Sequence, residues 1–157
     1  MRPGVRMGVD VGTARLGVAT SDPAGILATP VETVKRDARS VQRLAQLAVE
    51  LSAIEIVVGL PRALSGRETA STADARAVAA ELAAAQSIPV RLVDERLSTV
   101  SAQSALHRSG RNAKNSRSVI DQVAAVIILQ HALDFERSAD TPPGMTVDSD
   151  PGTVNDG

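Results

Sequence analysis

Three acidic positions stand where a carboxylate is hard to explain as solvated surface. Asp10 lies in Val5-Arg6-Met7-Gly8-Val9-Asp10-Val11, a run that reads as a β-strand. A carboxylate inside an apolar strand is costly to desolvate unless a cation, a metal or several hydrogen-bond donors face it. Gly12 and Thr13 follow it directly. The glycine removes a side chain where backbone must turn or come close to something, and the set Asp10, Gly12, Thr13 would suit a metal ion carrying a phosphate. A hairpin whose Asp bonds only turn amides is the plainer alternative.

The second position is Asp94-Glu95, directly after the short strand Val90-Arg91-Leu92-Val93. Side chains on a strand alternate, so one of these two carboxylates faces a site and the other caps a helix or meets solvent. The third is Asp121, in the first turn of a helix expected from Ser118 to about Glu136. It reads as the acidic partner of a capping box begun by Ser118, and it also shares a helical face with Ala124, Ala125, Ile128 and Ala132, small enough to pack closely on a sheet. Capping through one oxygen leaves the other for a metal. Hard cations such as Mg²⁺ or Mn²⁺ take carboxylate oxygens, water and substrate phosphate, and a pair of them can clamp the attacking and leaving oxygens of a phosphodiester.

Basic residues gather near the same places. Arg15 follows the Gly12-Thr13 turn, and Arg62 and Arg67 lie in the loop after the apolar strand Ile54-Glu55-Ile56-Val57-Val58-Gly59-Leu60, at the strand end where open α/β sheets bind ligands. Arg108, Arg111, Lys114 and Arg117 sit in a polar stretch without apolar anchors, suited either to a phosphate backbone or to a solvated loop.

The elements that must position these groups are legible in outline. Val5–Val11 and Leu16–Thr20 form two strands joined by a tight turn, and Ile26–Val34, which carries Pro30, makes a third strand tolerant of a sheet edge. A helix capped by Ser40 runs to Ser52 with Val41, Leu44, Leu47, Ala48 and Leu51 on one face. The strand at Ile54–Leu60, covered on both faces, leads to an alanine-rich helix from Ala70 to Gln86 whose buried stripe is read as Ala77, Val78, Leu82 and Ala85. After the strand at Val90 come a short helix at Val100–Ser109 and the final helix. The expectation is an α/β fold: a mixed five-stranded sheet, three antiparallel strands then two parallel ones, with helices on both faces. One domain is expected over 1–137, followed by a disordered acidic tail over 138–157.

A chain of 157 residues suits one domain with a sizeable core. That core must be aliphatic, because Phe135 is the only aromatic residue, and stacking of bases on a series of rings is thereby excluded. With no cysteine there is no disulfide, thiolate nucleophile or cysteine zinc site. No long apolar run suggests a leader or a membrane span, so a cytoplasmic protein is expected. The net charge of −1 hides an asymmetry: through Arg137 there are 17 basic residues against 14 acidic ones, leaving the body at +3. That is mildly basic and does not by itself argue for nucleic acid.

Four blocks carry a resemblance. Gly8-Val9-Asp10-Val11-Gly12-Thr13-Ala14-Arg15-Leu16-Gly17-Val18-Ala19, Val58-Gly59-Leu60-Pro61, Asp94-Glu95-Arg96-Leu97-Ser98-Thr99 and Asp121-Gln122-Val123-Ala124-Ala125-Val126-Ile127-Ile128-Leu129-Gln130 resemble, in order, the signature blocks of the YqgF family. These are small bacterial nucleases of RNase H-like fold, related to the RuvC resolvases. The resemblance spans Val5 to Arg137. It implies catalytic, metal-holding carboxylates at Asp10, Glu95 and Asp121, with Asp10 bridging two ions and water attacking phosphorus in line. Arg15, Arg62 and Arg67 would hold phosphate oxygens, with Gly12 and Thr13 beside them and the basic stretch farther out. The implied substrate is nucleic acid: the 5′ end of the small-subunit ribosomal RNA precursor, in contact with a pre-ribosomal particle, or a four-way DNA junction. Paired cuts in a junction require a homodimer, whereas trimming of a single strand can be done by a monomer.

Two other classes fit parts of the sequence. Asp10-Val11-Gly12-Thr13 followed by Gly17 also resembles the first phosphate loop of sugar kinases and actin-like ATPases, but those need two lobes and this length holds one. A non-catalytic nucleic-acid-binding module would have no need of all three carboxylates.

Overall fold

The structure, a computed structural model, describes residues 1–95, the backbone of 117–121, and residues 122–147. The elements are β1 (Val5–Val11), β2 (Arg15–Ser21), β3 (Ala28–Lys35), α1 (Ser40–Glu50), β4 (Ala53–Leu60), α2 (Ala70–Ala85), β5 (Val90–Asp94), α3 (Arg117–Ala139) and β6 (Met145–Thr146). They build one sheet in the order β3-β2-β1-β4-β5-β6. The β1–β2, β2–β3 and β5–β6 pairs are antiparallel, and β1–β4 and β4–β5 are parallel. The expected mixed sheet with helices on both faces is therefore present, with six strands in place of five.

The sixth strand comes from the segment expected to be a disordered tail. α3 continues to Ala139, and Gly144 then turns at φ 65° against the Leu92 carbonyl, so closely that no larger residue fits. Val147 N–H donates to the Val90 carbonyl at 2.7 Å. Two residues thus cover part of the β5 edge, whose backbone groups would otherwise stand unpaired. Positions 148–157 lie outside the described residues, as does the short helix expected at Val100–Ser109.

Several local expectations shift in phase. Ser40 is the first residue of α1, not its cap; its Oγ donates to the Asp37 carbonyl and accepts from the Asp37 N–H, closing the turn before the helix. Ser118 is likewise inside α3, which begins at Arg117. α2 buries Thr72, Ala75, Val78, Ala79, Leu82 and Ala83, leaving Ala77 and Ala85 exposed, because an alanine run gives no side-chain contrast to fix the phase. Pro30 sits on β3, at the end of the sheet, where the register slips between Val18 and Ala19 and the missing N–H costs little.

Two cores flank the sheet. Met7, Val9, Ile56, Val58 and Leu92 meet Leu44, Leu47, Val78 and Leu82 of α1 and α2 on one face. On the other, Ala19 and Val57 meet Ala125, Ile128, Leu129, Ala132 and Leu133 of α3. α3 runs antiparallel over β1, and its register is fixed at two points. A Cβ on Gly8 would stand 2.8 Å from the Leu129 Cβ, so only glycine lets the helix come so near. One end of β1 carries a buried ion cluster: Arg6 Nη2 and Arg2 Nη2 donate to the two oxygens of Glu136 at 3.1 and 2.7 Å, and Arg2 and Arg91 donate to Glu55. Such a cluster orders the elements it joins more than it stabilises them outright.

Those guanidinium donors hold the Glu136 carboxyl down to about 2, from an ordinary 4.5. Its contribution to stability is complete above pH 4.5 and is lost as pH falls toward 2. In acid titrations followed by circular dichroism, Glu136→Gln should be less stable than wild type at pH 7, with the difference narrowing below pH 4.5. A constant difference down to pH 2 would contradict this.

Candidate active site

Strand alternation places Arg6, Gly8 and Asp10 on the α3 face of β1. Arg6 meets Glu136 and Gly8 meets Leu129 and Ala125, so the polypeptide of α3 passes β1 from carboxyl to amino end as β1 advances toward Asp10. The helix reaches the level of Asp10 in its first turns. Gln122 Nε2 donates to Thr33 Oγ1 at 3.0 Å, Thr33 is opposite Gly17, and Gly17 is opposite Asp10. Asp121 is the preceding residue and lies one helical turn before Ala125, on the same face. Its side chain lies outside the described residues.

Glu95 reaches the same end of the sheet from β5. It follows Asp94, and its place beside β4 depends on Gly59: a Cβ there would be 2.9 Å from the Glu95 Cγ and 2.5 Å from the Ile128 Cδ1. Gly59 stands in the Val58-Gly59-Leu60-Pro61 block of the family resemblance, which carried no role for it. The signal was available, since a glycine inside a buried strand marks a close approach. Glu95 and Asp10 are hydrogen-bonded to each other. Burial first, then the charge of Asp10 and this bond, and more weakly the charge of Asp94, push the Glu95 carboxyl up to about 8. Two carboxyls in contact favour a proton held between them over two negative charges.

A pair of desolvated carboxylates in contact suits either a shared proton or a hard cation. The donor set is all oxygen, which fits Mg²⁺ or Mn²⁺ and does not fit a softer metal. Among the described residues no three His, Cys, Asp or Glu side chains come together; Asp10 and Glu95 are two of the three expected, and Asp121 is the third.

The expected phosphate-holding groups divide. Gly12 closes the β1–β2 turn: its N–H donates to the Arg15 carbonyl at 2.9 Å, and a Cβ would lie 2.6 Å from that oxygen. Its own carbonyl accepts from Arg36 Nη1, a residue the sequence reading did not single out, which also pairs with Asp74 of α2. Thr13 is exposed at the turn tip. Arg15 shares a face with Gly17 and hence with Asp10. Arg62 is half-buried and 3.8 Å from Glu68, which also binds Arg76, whereas Arg67 is exposed on the same loop. Arg108, Arg111 and Lys114 lie outside the described residues, and Arg117 is placed as the first residue of α3.

The fold is that of the RuvC resolvases. A Thermus thermophilus RuvC solved in complex with a Holliday junction substrate superposes with a TM-score of 0.58 at 18% identity, covering 89% of this chain and 99% of that one. A second structure of Thermus thermophilus RuvC gives 0.52, also at 18%, over 88% and 99%. Within that fold the chain belongs to the RuvX family, whose model, described as "RuvX: Holliday junction resolvase", matches residues 4–135. Similar curated proteins bear the name "Putative pre-16S rRNA nuclease". That of Clavibacter michiganensis is 62% identical over 94% of this chain and 93% of its own length. Those of Leifsonia xyli and Streptomyces coelicolor are 61% and 56% identical, over 94% of this chain and 97% and 90% of theirs. No helix among the described residues is long and apolar enough to cross a membrane.

The raised Glu95 carboxyl predicts a pH dependence of opposite sign to that of Glu136. A carboxyl that titrates near 8 folded and 4.5 unfolded costs nothing below pH 4.5 and destabilises progressively as pH rises toward 8. In chelator, wild-type melting temperature should fall across that window, and Glu95→Gln should flatten the fall. An unaltered slope in Glu95→Gln would contradict the raised Glu95 carboxyl.

Proposed function

We propose that this chain is a divalent-cation-dependent nuclease that hydrolyses nucleic-acid phosphodiesters and matures the 5′ end of the 16S ribosomal RNA precursor in the cytoplasm. The observation that carries it is the half-buried Asp10–Glu95 pair at the end of β1, with the first turn of α3 level with Asp10. The names of relatives 53–62% identical support the RNA substrate.

Asp10, Glu95 and Asp121 would hold the cation, most simply as a pair of Mg²⁺ or Mn²⁺ ions. When bound, the ions supply Lewis-acid stabilisation of phosphate charge and a water of lowered pKa. The chain's own residues do the rest. Asp10 and Glu95 are brought to one end of the sheet, because β1 and the β5 end are joined through β4 and Gly59 has no side chain to keep Glu95 off the β4 backbone. Loss of the shared proton frees both carboxylates as ligands, so cation binding should release a proton below pH 8. Arg15, and Arg62 and Arg67 on the loop after β4, would orient substrate phosphates, with Arg108, Arg111, Lys114 and Arg117 contacting the backbone farther away.

A second reading, resolution of four-way DNA junctions, is favoured by the family description and by the substrate in the RuvC complex. It requires two active sites acting as a homodimer, whereas precursor trimming does not. Cleavage of a 16S precursor leader and of a synthetic four-way junction, each with Mg²⁺ and with Mn²⁺, separates the two. The proposed function predicts RNA cleavage that Asp10→Asn reduces by at least about a hundredfold, the upper cost of losing even an outer-shell partner of a metal site, with melting curve and RNA affinity retained. Paired symmetric nicks in the junction without RNA cleavage would establish the second reading, and equal rates in wild type and Asp10→Asn would overturn the site.

A further inference from the structure

Beside the carboxylate pair, α3 and the β5–β6 edge enclose a cleft of about 210 Å³ that the proposed mechanism does not use. It is lined by Val93 and Gly144 from the β5–β6 side, by Ile128, Ala132 and Phe135 from α3, and by Glu95. The remaining lining side chains include His131 and Asp94. The interior is apolar, and the acidic groups belong to the segment that leads into the catalytic pair. Phe135, the only aromatic residue of the chain, is 45% exposed where it borders this space.

We infer that this cleft receives one unpaired nucleobase of the strand being cut, stacked against Phe135. The inference rests on the nuclease reading above and specifies what that nuclease binds. Size is the first argument: the space is smaller than pockets that hold drug-sized ligands and suits a single ring system. Charge is the second. Among the described residues no Arg or Lys lines the apolar interior to compensate a desolvated phosphate, whereas a neutral flat heterocycle with exocyclic amino donors meets both that interior and the carboxyl oxygens beside it. Continuity is the third. Ile128 touches the place where Gly59 and Glu95 meet, and Phe135 lies seven residues farther along α3, about 10 Å by helical rise. A base held at Phe135 therefore belongs to a nucleotide near the scissile phosphate on the same strand.

The cleft is built, not incidental. The lining at Pro143 and Gly144 is held in place because Gly144 takes a left-handed conformation against the Leu92 carbonyl, and Arg91 Nη1 donates to the Pro143 carbonyl at 3.4 Å. The near absence of rings excludes a stacking platform for many bases, but a single ring beside a catalytic carboxylate serves to seat one. The substrate this implies is single-stranded, or unpaired at that nucleotide, since a base within a duplex cannot leave its stack without cost.

The test uses the full chain and single-stranded RNA oligonucleotides of the precursor leader, each with 2-aminopurine or an abasic site at one successive position. The protein has no Trp or Tyr, so the probe is read without background. With Asp10→Asn as the binding form, quenching should peak at one position relative to the cut and be lost when Phe135→Ala is added. In the otherwise wild-type protein, Phe135→Ala should raise KM about tenfold, the scale of one base–aromatic stack, and Phe135→Leu less. An abasic site at that position should remove the difference between wild type and Phe135→Ala. Cleavage that is insensitive to Phe135→Ala and to abasic sites at every position would overturn the pocket and leave the nuclease reading intact. Quenching that depends on Phe135, in a protein that cuts no substrate, would keep the pocket and overturn the nuclease reading.

Discussion

The close passage of α3 over β1 is the constraint on which the rest depends. Three alternate residues of one strand face one helix. Arg6 meets Glu136 as an ion pair, Gly8 meets Leu129 without a side chain of its own, and Asp10 stands level with the helix's first turns. A helix displaced along β1 by one turn would break the Arg6–Glu136 pair in a buried setting, where an uncompensated charge is expensive. The polar cluster at one end of the sheet thus holds the acidic site at the other in register.

That arrangement explains why the carboxylates sit at ends of elements while the scaffold between them is aliphatic. β1, β4 and β5 run parallel beside one another, so their carboxyl ends lie together. Glycine does the fine positioning. Gly59 admits Glu95 and Ile128 where any side chain would exclude them, and Gly12 closes the turn after Asp10 on the Arg15 carbonyl. Asp10 and Glu95 are consequently forced together, which is unfavourable for two charges and favourable for a proton or a cation between them.

Much of this was legible in the sequence because the relevant signals are local. The alternation around Asp10, the apolar run before Gly59 and the small face of the last helix each identify their element and its orientation, and four blocks in order identify the family. What was not legible has physical causes. Alanine on every face of α2 left its phase undetermined, so Thr72 and Ala75 were missed and Ala77 and Ala85 were wrongly buried. Met145–Thr146 is too short and too flanked by Pro and Gly to announce a strand; it forms because β5 offers an edge, a tertiary fact. Gly12 closes the turn expected of it, but the Arg36 that holds its carbonyl lies just past the end of β3, 24 residues away.

The central claim is that Asp10, Glu95 and Asp121, brought from β1, the end of β5 and α3, form one cation site. Calorimetric titration of Mn²⁺ into wild type, Asp10→Asn, Glu95→Gln and Asp121→Asn tests it most directly, with helix content checked in each. The account predicts that every substitution weakens Mn²⁺ binding by at least the roughly tenfold that loss of even an outer-shell partner costs. An Asp121→Asn protein that folds normally and binds Mn²⁺ as tightly as wild type would contradict it.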